Sequence, residues 1–207
     1  MTACASASTT GGAPSPSRPT VPGQLAVSGP AKARADSARY PYTEADIHFM
    51  SAMIGHHAQA IDMSRLVPTH DASPAVRRLA ERIINAQQDE IATMQQWLAD
   101  RHKPVPEAKA GPMKMTMDGM EHDMPMPGML TDEQMTQLDR ARGAEFDRLF
   151  LTRMIQHHRG AVSMVKSLFD TNGAAQDETV FKFASDVNVD QSTEIARMES
   201  MLAALTR

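Results

Sequence analysis

The sequence predicts an all-α protein in which two helical hairpins form a four-helix bundle. A His-His motif occurs twice, at a constant offset of 101 residues, which indicates an internal duplication. Each copy is followed by a second segment with apolar residues at i, i+3, i+4 and i+7 spacing, as in an amphipathic helix. Neither hairpin could bury its apolar stripe alone, so the two are expected to pack together.

Helix boundaries follow from capping signals. Hairpin one is expected over residues 43–100, with Pro68 ending its first helix. Ser73 and Pro74 are the expected N-cap and first residue of its second helix. Hairpin two is expected over 131–205; it opens with a short helix capped by Thr131 and continues in two long helices, about 145–169 and 177–205.

The duplicated motif brackets each histidine pair with methionines. Its candidate metal ligands are Met53, His56, His57 and Met63 in the first copy, and Met154, His157, His158 and Met164 in the second. Imidazole and thioether groups together are the ligands of soft or borderline metals, above all copper. The motif therefore predicts copper binding, with Cu(I) preferred, Cu(II) as a second state and silver as a mimic.

The second helices of the two hairpins also match each other. Gln87, Glu90 and Met94 correspond to Gln191, Glu194 and Met198. A helical wheel places His57 and His158 inside, near these residues, and leaves His56 and His157 more exposed. Two interpretations stay open: a polar layer in which each Glu pairs with an inward His, or a metal site that also uses Met53, Met94, Met154 and Met198. His56 and His157 could instead form outer sites with Met63 and Met164.

The segment between the hairpins, residues 101–130, is rich in soft donors. It holds Met113, Met115, Met117, Met120, His122, Met124, Met126 and Met129. Methionine normally fills gaps in cores, but this spacing, interrupted by Pro and Gly, does not fit a helical core stripe. The segment is therefore expected to be a mobile loop that binds Cu(I) or Ag(I), even at acidic pH where imidazoles are protonated.

The amino-acid composition limits the kinds of partner that the protein is expected to have. Residues 1–41 are mostly Ala, Ser, Thr, Gly and Pro, which predicts a disordered tether. The single cysteine, Cys4, follows small residues, as in the end of a bacterial lipoprotein signal, and a cysteine without a role in the tether is the alternative. No apolar run is long enough to span a bilayer, so membrane attachment is expected only through a lipid on Cys4. The net charge of -4, without a basic cluster, argues against nucleic acid as a partner.

Residues 146–164, with the Met-Ile-x-His-His core, and the preceding Met-Pro-Gly-Met-Leu-Thr of 126–131 resemble the bacterial family called domain of unknown function 305. The resemblance covers about residues 42–205. It implies a ferritin-like four-helix bundle that is usually exported. It also implies a likeness to the CopM-like members, periplasmic or secreted proteins that bind copper, and also silver, through Met and His.

Three functions are compatible with these patterns. The first is a non-enzymatic copper-binding protein outside the cytoplasm, either periplasmic, secreted or a cell-surface lipoprotein. It would buffer, store or deliver the metal, with other copper-handling proteins as candidate partners. The second is a ferritin-like di-metal oxidase that uses Glu90, Glu194, His57 and His158, although the Glu-x-x-His motif of such sites does not occur. The third is an interaction module whose methionines grip an apolar partner surface.

Overall fold

The structure is a computed structural model, which describes residues 29–31, 35, 41–117, 120–124 and 126–205. Residues 29–31 and 35 are helical. The rest of the predicted tether, up to residue 40 and including Cys4, lies outside the described residues. No helix in the described part of the chain is both long enough and apolar enough to cross a membrane.

The first hairpin consists of α1 (Glu44–Leu66) and α2 (Pro74–Asp100), joined through a short 3-10 turn, Val67–Thr69. The hydroxyl of Thr43 accepts from the backbone N–H of Asp46, whose carboxylate accepts from the backbone N–H of Thr43 in return, forming a capping box. Ser73 caps α2 as predicted.

The second hairpin consists of α4 (Gly143–Asp170) and α5 (Glu178–Leu205), preceded by the short helix α3 (Asp132–Arg140). Thr131 forms the predicted capping box with Gln134 at the start of α3. These helices confirm the all-α class.

The segment between the hairpins departs from the prediction of an irregular loop. Its backbone forms two antiparallel strands, β1 (Met113–Met117) and β2 (Met120–Met124). The signal was present in the sequence, since methionine alternates with polar residues in both strands. An Asp-Gly pair, the strongest short-range hairpin signal, also lies between them.

Two buried aspartates tie the hairpins together at equivalent positions of the duplication. Asp46 on α1 accepts a hydrogen bond from the backbone N–H of Ala175, in the turn between α4 and α5, at 2.7 Å. Asp147 on α4 accepts from the backbone N–H of Ser73, at the start of α2, at 3.1 Å. Each hairpin therefore fixes the turn of the other.

The apolar interior is divided into two cores, and all four long helices contribute to both. The first core combines the N-terminal half of α1 and the C-terminal half of α2 with the C-terminal half of α4 and the N-terminal half of α5. The second core takes the opposite half of each of these helices. The duplicated histidines lie between the two cores, so the fold places a polar layer at its centre.

Candidate metal centre

All four histidines of the duplicated motif are fully buried. His57 and His158 are inaccessible to solvent, as predicted, but so are His56 and His157, which were expected to be more exposed. The wheel prediction was wrong because it assumed one buried face on each helix. In the structure α1 packs against both α2 and α4, and the segment at Pro127 covers the remaining side.

His56 and His157 lie at the contact between α1 and α4. The Nε2 atom of His56 donates to the backbone carbonyl of Pro127, and that of His157 donates to the carbonyl of His56, each at 3.0 Å. The two ring centroids are 3.9 Å apart. Because carbonyl oxygens only accept, the Nε2 atoms carry the protons, and each Nδ1 atom keeps its lone pair.

Burial keeps this histidine pair neutral. It lowers the pKa of His56 to about 3, with the neighbouring His57 adding to the effect and the hydrogen bond to Pro127 opposing it. Burial, followed by the proximity of His56, holds the pKa of His157 well below its usual value. The expectation that these imidazoles protonate at mildly acidic pH is therefore wrong, since desolvation penalises their charged form.

The inward histidines lie against the glutamates, in line with the polar layer that was one of the two interpretations left open by the sequence. The Nε2 atoms of His57 and His158 lie 2.7 Å from Oε2 of Glu90 and Glu194, respectively. Only the second contact has the alignment of a hydrogen bond. The glutamate side chains are 17% and 13% exposed, so the carboxylates reach the edge of a polar cleft between α2 and α5 rather than the dry interior.

His56, His57, His157 and His158 together are called the histidine layer below. Their donor atoms fit a soft or borderline metal. The Nδ1 atoms of His56, His57, His157 and His158 are all buried and have no hydrogen-bond partner. Within the described ranges, however, no three His, Cys, Asp or Glu side chains are grouped as a metal ion requires. A metal held here would take its other ligands from methionine, whose thioether suits Cu(I).

The methionines of the helices lie in the cores on either side of the histidine layer. Met53 and Met94 are fully buried in the first core. Met63, Met154 and Met198 are fully buried in the second. Met164 differs from these five, because it is only partly buried at the edge of the first core.

The backbone register of the β-hairpin formed by β1 and β2 pairs soft donors with one another. Its directly opposed residues are Met113 with Met124, Met115 with His122, and Met117 with Met120. The side chains of residues 113–125 lie outside the described part. Met126 and Met129, which follow the hairpin, are both partly buried.

Comparison with known proteins assigns the family. The model of the family described as domain of unknown function (DUF305) matches residues 46–202. The chain belongs to the DUF305 family. Among curated proteins, none matches this DUF305 chain.

Solved structures of other DUF305 proteins are similar to this one. A Streptomyces coelicolor member thought to be secreted has 31% identity and a TM-score of 0.66, over 78% of this chain and 94% of that one. A Deinococcus radiodurans fragment has 28% identity and a TM-score of 0.65, over 79% and 98%. CopM in its Cu(I)-bound form has 29% identity and a TM-score of 0.57, over 77% and 96%, and it has also been solved with Cu(II) and with silver.

Sequence reasoning missed the residues that position the linker against the DUF305 motif. The side-chain amide of Gln59 donates to the carbonyl of Leu130 at 2.9 Å and accepts from its N–H at 2.7 Å. A Cβ on Gly160 would lie 1.9 Å from the carbonyl oxygen of Pro127, so only glycine allows this approach. The available signal was a difference between the copies, because Gly160 stands where the first copy has Gln59.

Proposed function

We propose that this DUF305 protein is a non-enzymatic, extracytoplasmic copper-binding protein that buffers, stores or delivers the metal. The observation that carries this proposal is the register of the β-hairpin. Cross-strand partners, and residues two apart along a strand, share a face of a hairpin. Six soft donors therefore occupy one face: Met113, Met115, Met117, Met120, His122 and Met124.

The opposite face has a different chemistry. It holds Lys114, Thr116, Glu121 and Asp123, none of which is a soft ligand. Directly opposed residues in an antiparallel ladder are the nearest cross-strand neighbours on one face. The hairpin thus supplies three adjacent pairs of donors suited to Cu(I).

The histidine layer supports the same function. The neutral imidazoles of His56 and His157 carry free Nδ1 lone pairs next to cores rich in methionine. Imidazole extends binding from Cu(I) to Cu(II). CopM, 29% identical, was crystallised with Cu(I), Cu(II) and silver. We place the candidate ligands of this chain on a ferritin-like four-helix scaffold, with the hairpin as the outer binding element.

The proposed location outside the cytoplasm is supported by the Streptomyces coelicolor relative, which is thought to be secreted. Thioether ligands suit such a location, because methionine, unlike cysteine, forms no disulfides in an oxidising compartment. The expected lipid on Cys4 remains a prediction, since that residue lies outside the described part of the chain.

Titration of the protein with Cu(I) under reducing conditions, against a competing chelator, tests the proposal. The parent protein should take up Cu(I) tightly and stoichiometrically. Replacing the five hairpin methionines with leucine and His122 with alanine should remove a large share of that uptake. As a matched control, alanine at Lys114, Thr116, Glu121 and Asp123 changes only the opposite face and should leave uptake unchanged.

This titration, together with a measurement of oxygen consumption, separates the proposed function from the oxidase and interaction functions. A parent protein that binds no Cu(I) contradicts the proposal. Oxygen consumption that depends on added iron would favour the oxidase, with Glu90 and Glu194 as its carboxylates. Equal uptake by the two hairpin variants would assign the bound copper to the helices and contradict the role of the hairpin.

A further inference from the structure

A cavity of about 360 Å³ lies between α1, α4 and the linker, where Pro127 is one of its lining residues. Its walls are largely small or apolar side chains, including Ala45 and Phe49. Three soft donors also line it: His48 from α1, Met126 from the linker and Met164 from α4. Three separate elements thus bring an imidazole and two thioethers to one space.

Residues that line this cavity differ from those at the equivalent positions of the other copy of the motif. Ala45, His48 and Met164 correspond to Phe146, Leu149 and Met63 in the other copy. There, Phe146 and Met63 are fully buried in the second core, and Leu149 packs against it. In the first copy, alanine stands at the position of this phenylalanine and a histidine replaces the leucine, and both residues line the cavity.

Met126 is held at the cavity by its neighbours. The carbonyl of Pro127, the next residue, accepts the hydrogen bond from His56. Met126 also lines a neighbouring cleft together with Gly55, and a Cβ on Gly55 would lie 3.6 Å from Cε of Met126. The Met126 side chain therefore lies against α1, between the two spaces. The glycine at position 160 admits the backbone of Pro127. The linker therefore delivers a thioether to a defined place beside the histidine layer.

We infer that His48, Met126 and Met164 together bind one Cu(I) or Ag(I) ion in this cavity, as an entry site between solvent and the buried histidines. The inference rests on the proposed copper-binding function. Two neutral thioethers and one imidazole form a soft donor set without a carboxylate. Methionine has three rotatable bonds, so both sulfur atoms can reach a common ion within the cavity.

Partial exposure of the site suits exchange of the ion. His48 is open to solvent on one side, whereas the motif histidines are fully buried. Burial of its other side lowers the pKa of His48, which favours the neutral form that can ligate. An ion at this position is accessible from outside and adjacent, through Pro127, to His56.

The test counts bound Ag(I) in the full chain and in three variants, His48→Leu, Met126→Leu and Met164→Leu. Each should lose one equivalent of bound silver. His48→Leu introduces the residue type found at the equivalent position of the other copy, which favours correct folding. The matched control is Met135→Leu, since Met135 is also partly buried but lies away from the cavity, and it should bind as many ions as the parent.

A second measurement follows His48 in the unmodified protein, so its first result does not depend on whether a variant folds. The ring nitrogen resonances of His48 in the unmodified protein should shift when Ag(I) is added, and should not shift in the Met126→Leu, Met164→Leu double variant. If the parent binds silver but no variant loses an equivalent and the His48 resonances stay fixed, the entry site is overturned while the proposed function stands. If the parent binds neither silver nor Cu(I), both fall.

Discussion

His157 donates a hydrogen bond from its Nε2 atom to the backbone carbonyl of His56, at 3.0 Å. The two residues occupy the same position in the two copies of the motif, so the two copies contact each other through equivalent residues. The contact is not symmetric, because His56 donates to Pro127 of the linker instead. The first copy of the motif is therefore hydrogen-bonded to the linker, whereas the second copy is hydrogen-bonded to α1.

The neutral pair predicts that acid destabilises the fold. The lowered pKa values of His56 and His157 mean that the unfolded state binds protons below pH 6.5 that the folded state does not bind. The folded-state pKa of His56 is about 3, and burial also holds the pKa of His157 well below its usual value. Stability should therefore be fully present above pH 6.5. It should fall by about 1.4 kcal/mol per pH unit for each histidine as the pH is lowered through that window.

Urea unfolding of the metal-free protein at pH 7.5, 6 and 5 measures this slope. A variant with glutamine at positions 56 and 157 should show a shallower dependence on pH, whatever its absolute stability. A parent protein whose unfolding free energy is constant between pH 7.5 and 5 would contradict the buried neutral pair.

Removing the Glu194 carboxylate should destabilise the metal-free fold. Glu194→Ala leaves the buried Nε2 atom of His158 without its hydrogen-bond partner, which costs about 1–3 kcal/mol. The larger loss expected for a fully buried ion pair does not apply, because Glu194 retains some exposure. Glu81→Ala, at an exposed position on α2, is the control and should change the denaturation midpoint little.

Substitution of Gly160 should displace the linker. Gly160→Ala places a Cβ 1.9 Å from the carbonyl oxygen of Pro127, a contact that only movement of the Pro127–Gly128 backbone can relieve. We expect a loss of about 1–3 kcal/mol, the usual cost of overpacking. Gly111→Ala is the matched control in the same linker, since nothing lies within 4 Å of a Cβ there. Equal stabilities of the two variants, measured by thermal unfolding, would show that the linker does not press on α4.

Breaking the buried ion pair of Arg101 and Asp177 should strongly destabilise the fold. Arg101 donates to Asp177 at 2.6 Å, and the indole N–H of Trp97 donates to the same carboxylate at 3.1 Å. Asp177→Asn leaves the guanidinium buried without its counter-charge, at a cost of about 3–5 kcal/mol. The exposed pair of Arg159 and Glu199 is the control, and Glu199→Gln should cost less than about 1 kcal/mol. A similar loss in both variants, by denaturant unfolding, would be the contrary result.

Local patterns in the sequence were sufficient for the helices, their caps and the inward position of His57, His158, Glu90 and Glu194, whereas the pairing of each histidine with a glutamate was only one of two interpretations. Capping depends on residues three positions apart, and the facing of a side chain within a hairpin depends on helical periodicity, so both can be read from short stretches of chain. The hairpin at residues 113–124 was also readable, from its alternation and its Asp-Gly turn, but was predicted as a loop.

Other features depend on residues far apart in the sequence, and only the tertiary structure decided them. The burial of His56 and His157 arises where α1 meets α4, and periodicity within one helix does not reveal a second packed face. The cavity at His48 exists because Ala45 is small and because Met126 and Met164 arrive from other elements. The sequence by itself determined which duplicated groups are candidate metal ligands. The packing of the two halves decided which of them are buried and which keep an unpaired donor atom, because desolvation and donor geometry depend on residues brought together from distant parts of the chain.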